Sequence, residues 1–446
     1  MERRSNRIEA QELEVSVNVK RPEGDVSITS EPSCLAAQVR EQVPALHQGG
    51  EVGRRWTYLD SAATTLTPQP VIDVLSDFYA TETGSAGRGG HWRARRSTQR
   101  YEAARARVAA FLGAETSSSV VFTRGATHAL NLIACGLRGA LKPGDEVVIS
   151  AMEHHANLLP WRALAEESGA RLRVVPLNER GELDREATEA MIGARTAIVA
   201  LTHVSNVLGT VNPVAEWVEM ARGYGALSVI DGSQSVAHRA IDVKALGCDF
   251  FVCSAHKMYG PTGVGVLCGR SEALERLRPM ELGGGMMTSV REDEVVFAEL
   301  PNRLEAGTPP VAQAVGMAAA IDWMEGFGME ALQRHEEALC AYALERFKEV
   351  EGVEVVGSPA ERSAVIAFGL RGVDAYDLGE LLDAQNVAVR VGSHCAHPLV
   401  RELGLCATAR ASFGAYTDRD DIDALIEALA EAARFSPCGE LDGQPR

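Results

Sequence analysis

One lysine, Lys257, stands between a histidine and a glycine-rich turn in "SAHKMYGPTGVG", residues 254 to 265, just after the apolar run "CDFFVC". An ammonium group gains nothing from the mouth of a buried strand unless it has a partner or a reaction there. Other apolar runs of the chain end in the same manner. "VVFT" is followed by "RGATH", "EVVIS" by "AMEHHAN", "TAIVAL" by "THVSN", "LSVI" by "DGSQ" and "FFVC" by "SAHK". Each group alone has an ordinary explanation: a loop lysine is usually a solvated charge, and an aspartate after a strand is usually a helix cap. If the runs are parallel strands, however, their carboxyl ends share one rim, where ligands of open α/β sheets bind. His155, Asn206, Asp231, Gln234 and Lys257 then converge.

Pyridoxal phosphate would use that set. A lysine amine forms a Schiff base with its aldehyde. A carboxylate such as Asp231 beside the ring nitrogen favours the protonated pyridinium, which makes the ring an electron sink. The phosphate calls for hydroxyls, backbone N–H groups and a helix N-terminus. "GATH", opening a helix at residues 125 to 128, supplies the last two, and Ser254 and His256 supply the rest. "GPTGVG" lacks the spacing of a dinucleotide fingerprint and the Gly-Lys-Ser/Thr of a phosphate-binding P-loop. "HCAH" could be half a metal site, but its ligands crowd one loop.

The elements that must position these groups follow from pattern. Short β-branched runs alternate with helical segments of about ten residues, the signature of βαβ units and a mostly parallel sheet covered on both faces. That predicts a large α/β unit over 58–308. After "NRLEAGTPP" come long helices, the strands "GVEVVG", "AVIAFGL" and "VAVRVG", and a closing helix, which predicts a smaller α+β unit over 309–446 with its joint at Pro309-Pro310. Residues 1–33 read as a flexible extension, and 34–57 as a segment packing on the small unit.

Composition narrows the class. The chain has 446 residues, 46% apolar and 24% charged, which fits a soluble multidomain protein. A formal charge of −17 argues against nucleic-acid or anionic-membrane partners. No run approaches a membrane span, and "MERRSNRIEAQELEVSV" has neither a secretory h-region nor the composition of a transit peptide. The nine cysteines are scattered without a Cys-x-x-Cys pair, as expected of reduced thiols in a cytoplasmic enzyme. Cys395 differs from the rest: it lies in "RVGSHCAHPL" between two histidines, with a single alanine for an apolar neighbour.

From about Tyr58 to Arg434 the chain resembles the class V, fold type I pyridoxal-phosphate enzymes, and within them the group II cysteine desulfurases of the SufS type. The resemblance rests on "YLDSAATT", "MEHHANLLPW", "THVSNVLGT", "DGSQSV", "SAHKMYGPTGVGVL", "EAGTP" and "AVRVGSHCAHPL" with "ATARASFGAYT" downstream. It implies a fold type I large domain with a smaller α+β domain, pyridoxal 5'-phosphate as cofactor, L-cysteine as substrate, a sulfur-acceptor protein and a homodimer. It implies that Lys257 carries the cofactor, Asp231 pairs with its ring nitrogen, Gln234 reaches its hydroxyl and His155 stacks on its face. Ala126, Thr127, Ser254 and His256 would hold the phosphate, with Thr308 reaching the phosphate of the other subunit. Asn206 and Arg410 would hold the substrate carboxylate, Arg390 and Arg88 would line the pocket, and Cys395 would take up sulfur. The chain departs from the family at Gly87, His128 and Ser393 and in "YTD" after the substrate arginine, all near the pocket or the partner-facing loop. Those departures bear on the physiological substrate and acceptor. Two other readings stay open: a different class V reaction, such as a C–S lyase, selenocysteine lyase, epimerase or aminotransferase, and a non-catalytic scaffold that binds a sulfur-transfer partner. The thiol at Cys395 favours the desulfurase over the former, and intact Lys257 and Asp231 weigh against the latter.

Overall fold

A computed structural model of the chain describes residues 32–48, 55–87 and 89–435. The reading of 1–33 as an extension falls almost wholly outside these residues, as does Arg88.

Seven strands form the central sheet, in the order Val120–Thr123, Gly265–Gly269, Phe250–Ser254, Leu227–Asp231, Thr196–Thr202, Glu146–Ser150 and Arg171–Val175. All run parallel except Gly265–Gly269, which is antiparallel to both neighbours. Alternate residues face opposite layers. Val147 and Ile149 join one apolar cluster with Leu130, Ile133 and Trp161. Val148 joins another with Val108, Trp217 and Ile321. Both faces are covered, so the inner strands have no polar side, and this is why they read as unbroken apolar runs. Register then aligns the strand ends: Asp231 lies opposite Thr202 and Val252, and Ser254 opposite Gly265.

The smaller unit has a four-stranded antiparallel sheet ordered Val353–Val355, Val365–Leu370, Thr408–Ser412, Arg390–Gly392. It packs with the helices Met329–Phe347, Ala375–Asp383 and Arg419–Ala432 around one core that includes Phe347, Phe368 and Leu425. Its inner strand Thr408–Ser412 is fully buried yet reads "TARAS", without the β-branched enrichment that marks a strand in sequence. "VAVRVG" divides in two: Val387–Ala388 pairs with Thr57–Tyr58, while Arg390–Gly392 joins the sheet.

The joint between the units differs from the expected one. The helix Val311–Phe327 begins directly after Pro309-Pro310 and packs on Trp92–Phe111 and Gln69–Asp77 of the large unit. Proline at a helix start is compatible with its continuation, and the chain changes partner only at Gly328, where φ is +89°. The helix is buried nearly all round, so no polar face marked which unit it belongs to. The segment before the large unit carries Arg40, which bonds the Tyr416 carbonyl and Asp421, and Arg55, which bonds Asp418 and Asp421 of the small unit.

Candidate active site

Strand Phe250–Ser254 ends in the short 3₁₀ turn Ala255–Lys257, which brings Lys257 beside the end of strand Leu227–Asp231. The turn is clamped from another part of the chain. The His256 carbonyl accepts from the Thr65 backbone N–H at 2.9 Å and from the hydroxyls of Thr64 and Thr65 at 3.0 and 3.1 Å. Thr65 Oγ1 also accepts the Tyr259 N–H, at 2.6 Å. Tyr259 has φ +64°, an unusual conformation for a bulky residue, and these bonds hold it there.

Burial lowers the Lys257 pKa. Asp231 and Cys395 oppose the shift, while Arg410 and Arg390 add to it. Five groups named separately from sequence thus act on one another in one site. A lowered amine pKa makes the free base, the nucleophilic form, more accessible. Asp231 is itself buried and accepts the Ser233 N–H at 2.9 Å.

The histidine pair "HH" is the first correction. His154 caps the turn His155–Asn157, its Nδ1 accepting from the Ala156 N–H at 3.0 Å. Burial first, then the Lys257 charge, hold its pKa down at about 4, with Asp231 opposing. His155 instead turns to the cysteine loop. Its ring lies parallel to that of His397, with centroids 4.9 Å apart and planes 2° apart, and the two rings meet edge to edge at 3.0 Å between Nε2 and Nδ1. His154, not His155, therefore faces Lys257 and Asp231. Adjacent residues at the start of a 3₁₀ turn point in different directions, and the doublet alone does not say which points inward.

On one flank, Gly125 (φ +142°) opens the helix Ala126–Gly136, and the Ala126 N–H donates to Ser254 Oγ at 2.8 Å. A Cβ at Gly265, across from Gly125, would lie 2.6 Å from the Gly125 Cα, so the backbone itself is packed close here. Thr127 is exposed at the helix start, and His256 Nδ1 lies 3.3 Å from Thr64 Oγ1. His128, one of the departures, uses Nδ1 to accept the Arg124 N–H at 3.2 Å. This flank offers a helix N-terminus and hydroxyls.

On the other flank lie the arginines. Arg390 and Arg410 are direct cross-strand partners. Arg410 is 2% exposed, donates to the Asn206 carbonyl at 2.9 Å and to Asp60 Oδ1 at 2.9 Å, and keeps its buried Nε without a partner. Arg390 forks onto both Asp60 oxygens at 2.8 to 3.2 Å. Asn206 Nδ2 donates to the His394 carbonyl at 2.9 Å. Gln234 Nε2 donates to the Ala62 carbonyl at 2.6 Å. Asp60 received no role from sequence although it stands in "YLDSAATT". The available signal was an acidic residue in a motif otherwise made of small and hydroxylated residues.

Cys395 is exposed, and both it and His394 have left-handed backbones, with φ +56° and +52°. Two successive non-glycine residues there are costly. The loop is pinned on both sides: the His155 N–H donates to the Cys395 carbonyl at 2.8 Å, and His394 Nε2 meets Thr408 Oγ1 at 2.8 Å. The thiol is presented on a fixed turn rather than packed in a core. Thr308 is exposed on the loop before Val311–Phe327.

Residues 57–425 match the family model described as Aminotransferase class-V. The chain is 44% identical to a probable cysteine desulfurase of Halalkalibacterium halodurans, over 90% of this chain and 98% of the relative. It is 45% identical to a cysteine desulfurase of Dickeya dadantii, over 89% and 97%. Among solved structures, the apo cysteine desulfurase of Thermococcus onnurineus superposes with a TM-score of 0.85 at 35% identity, covering 90% of this chain and 98% of that one. The cysteine desulfurase CsdA (S-sulfonic acid) of Escherichia coli gives 0.83 at 38% identity, covering 90% and 99%.

Proposed function

The chain belongs to the class-V aminotransferase family and is a cysteine desulfurase, and from that premise we propose that it binds pyridoxal 5'-phosphate at the rim of the large sheet and moves sulfur from L-cysteine onto Cys395. The residues present suit the cofactor. Lys257 is a desolvated amine beside Asp231, the helix start at Ala126 stands against the Ser254 hydroxyl, and His154 presents a ring kept neutral at pH 7. Thr127 and His256 would complete the phosphate side, Gln234 would serve the ring hydroxyl, and His154 would take the stacking role. When bound, pyridoxal phosphate supplies an electron sink for the pair left when the substrate Cα loses its proton.

The chain's own residues do the rest. Arg410 and Asn206 hold the substrate α-carboxylate: Arg410 has a buried N–H in reserve, and its planar fork suits a carboxylate better than a lysine would. That contact orients the substrate Cα toward Lys257 Nζ, which takes the proton as its free base. The Cys395 thiolate attacks the substrate sulfur. A sulfur–sulfur bond forms, the carbon–sulfur bond breaks, and the electron pair stays with the carbon skeleton, which takes up protons and leaves as alanine. The persulfide on Cys395 is exposed for an acceptor protein.

Thr308, exposed before the helix Val311–Phe327, is assigned to the phosphate of a second copy, which makes the working enzyme a homodimer. The seven cysteines from Cys135 to Cys406 are free, which suits a reducing, cytoplasmic setting. The observation that carries the proposal is that Asp231 and Lys257 follow from neighbouring strand ends while Asn206 bonds both the His394 carbonyl beside Cys395 and, through its own carbonyl, Arg410. Cys395→Ser is the test. It should retain the cofactor's visible absorbance and still perturb it on adding cysteine, yet release no alanine and carry no added sulfur by peptide mass mapping. Sulfur mapped to Cys406 in the unaltered enzyme, or full turnover in the variant, would refute the assignment.

A further inference from the structure

One residue of the large unit grips the stretch from Cys395 to His397. The His155 N–H donates to the Cys395 carbonyl at 2.8 Å, and His155 Nε2 accepts the His397 N–H at 3.3 Å. A backbone N–H can only donate, so His155 Nε2 carries the lone pair and the ring proton sits on Nδ1. The ring-to-ring bond at 3.0 Å is then donated by His397 Nδ1–H. His397 opens the turn His397–Glu402, where Ala396 before it has no side-chain acceptor and Pro398 after it has no N–H. His155 thus supplies, from 242 positions away, the acceptor that this turn lacks. Ser393, one of the departures from the family, lays its hydroxyl 3.2 and 3.5 Å from the two nitrogens of the His397 ring. The other side of the thiol is held separately, by Asn206 on the His394 carbonyl and Thr408 on the His394 ring. The left-handed backbones of His394 and Cys395 persist only while such contacts over-determine them.

We infer that His155 and His397 are positioning residues for sulfur uptake: their bond fixes the turn that carries Cys395, so it acts on the attack step and not on cofactor or substrate binding. The inference rests on the assignment of Cys395 as the sulfur acceptor above. Displacement at sulfur requires the thiolate in line with the breaking carbon–sulfur bond. A turn that holds the side chain in one direction meets that requirement before the substrate arrives.

The bond can be removed and then restored. Asparagine offers an N–H near the place of His397 Nδ1–H, whereas alanine offers none. In the holoenzyme, His397→Ala should slow persulfide formation on Cys395 about tenfold, the upper scale of one neutral hydrogen bond. The measurement is a single-turnover quench followed by peptide mass mapping. The cysteine dependence of the cofactor's absorbance change, and the cofactor's dissociation constant, should stay within about twofold. His397→Asn should bring the rate back to within about threefold of wild type. His155→Ala removes both ring bonds and should be slower still, and adding His397→Ala to it should cost less than about twofold more, since the shared bond is already gone. A pair that merely supports the fold would weaken cofactor binding along with the rate. A wild-type rate in His397→Ala, an asparagine variant as slow as the alanine variant, or parallel losses in sulfur uptake and cofactor binding overturns the inference. His397 is exposed, so its replacement leaves the core intact. Failure of the underlying reading has a separate mark, the absence of added sulfur on Cys395 in the unaltered enzyme.

Discussion

His154 and His155 make opposite predictions for cofactor affinity. His154 faces Lys257 and Asp231, whereas the His155 ring is engaged 3.0 Å from His397. An aromatic contact contributes about 0.5–1.5 kcal/mol beyond burial, so His154→Ala should raise the dissociation constant for pyridoxal phosphate roughly two- to tenfold. His154 also accepts the Ala156 N–H at 3.0 Å, and the alanine variant loses that cap as well. His154→Phe separates the two: it keeps a ring, loses the acceptor, and should stay within about twofold of wild type if stacking is the larger effect. His155→Ala should leave cofactor affinity within about twofold, because its ring contacts the cysteine loop. The assay is equilibrium titration of cofactor-free protein followed by visible absorbance. Weak cofactor binding in His155→Ala beside unaltered binding in His154→Ala would refute the assignment of the inward ring.

Two further predictions concern stability. Glu153 is fully buried and accepts from the Thr202 N–H at 2.9 Å and from Asn157 Nδ2 at 2.6 Å, yet burial outweighs those bonds and pushes its pKa up to about 8. The folded protein therefore holds a proton that the unfolded chain has released, and this group's contribution falls as pH rises from the ordinary carboxylate range to about 8. Denaturant titrations of cofactor-free wild type and Glu153→Gln should diverge in slope across that window, with wild type losing stability faster; parallel pH profiles would contradict it. Arg105, 1% exposed, forks onto Glu305 at 2.6 and 2.9 Å, and Glu305 also accepts the Phe122 N–H and the Tyr101 hydroxyl. Arg105→Met leaves Glu305 among apolar neighbours without its countercharge and should cost ~3–5 kcal/mol in urea unfolding. A loss under ~1 kcal/mol would mean that water reaches the carboxylate.

Much of this protein is determined locally. Apolar runs of strand length, broken by helical periodicity, specify a parallel sheet covered on both faces, and chemistry-bearing residues just past five of those runs must then share one rim. Asp231 and Lys257 follow from that rule without any long-range information. Residues that depend on pairing between distant segments do not. Asp60 and Arg410 are 350 positions apart, and their ion pair exists because Arg390 and Arg410 fall opposite each other across two antiparallel strands. Neither register is encoded in a local period. The inward choice between His154 and His155 depends on one dihedral step at the head of a 3₁₀ turn, where side-chain direction changes too sharply for periodicity to follow. The partner of Val311–Phe327 was equally open, because a helix buried on every side carries no amphipathic stripe to aim it. Sequence patterning thus determined the layers and the rim, since burial acts on each segment separately. Tertiary packing decided which side chains meet across the rim, because only the assembled units bring segments hundreds of residues apart within reach of a hydrogen bond.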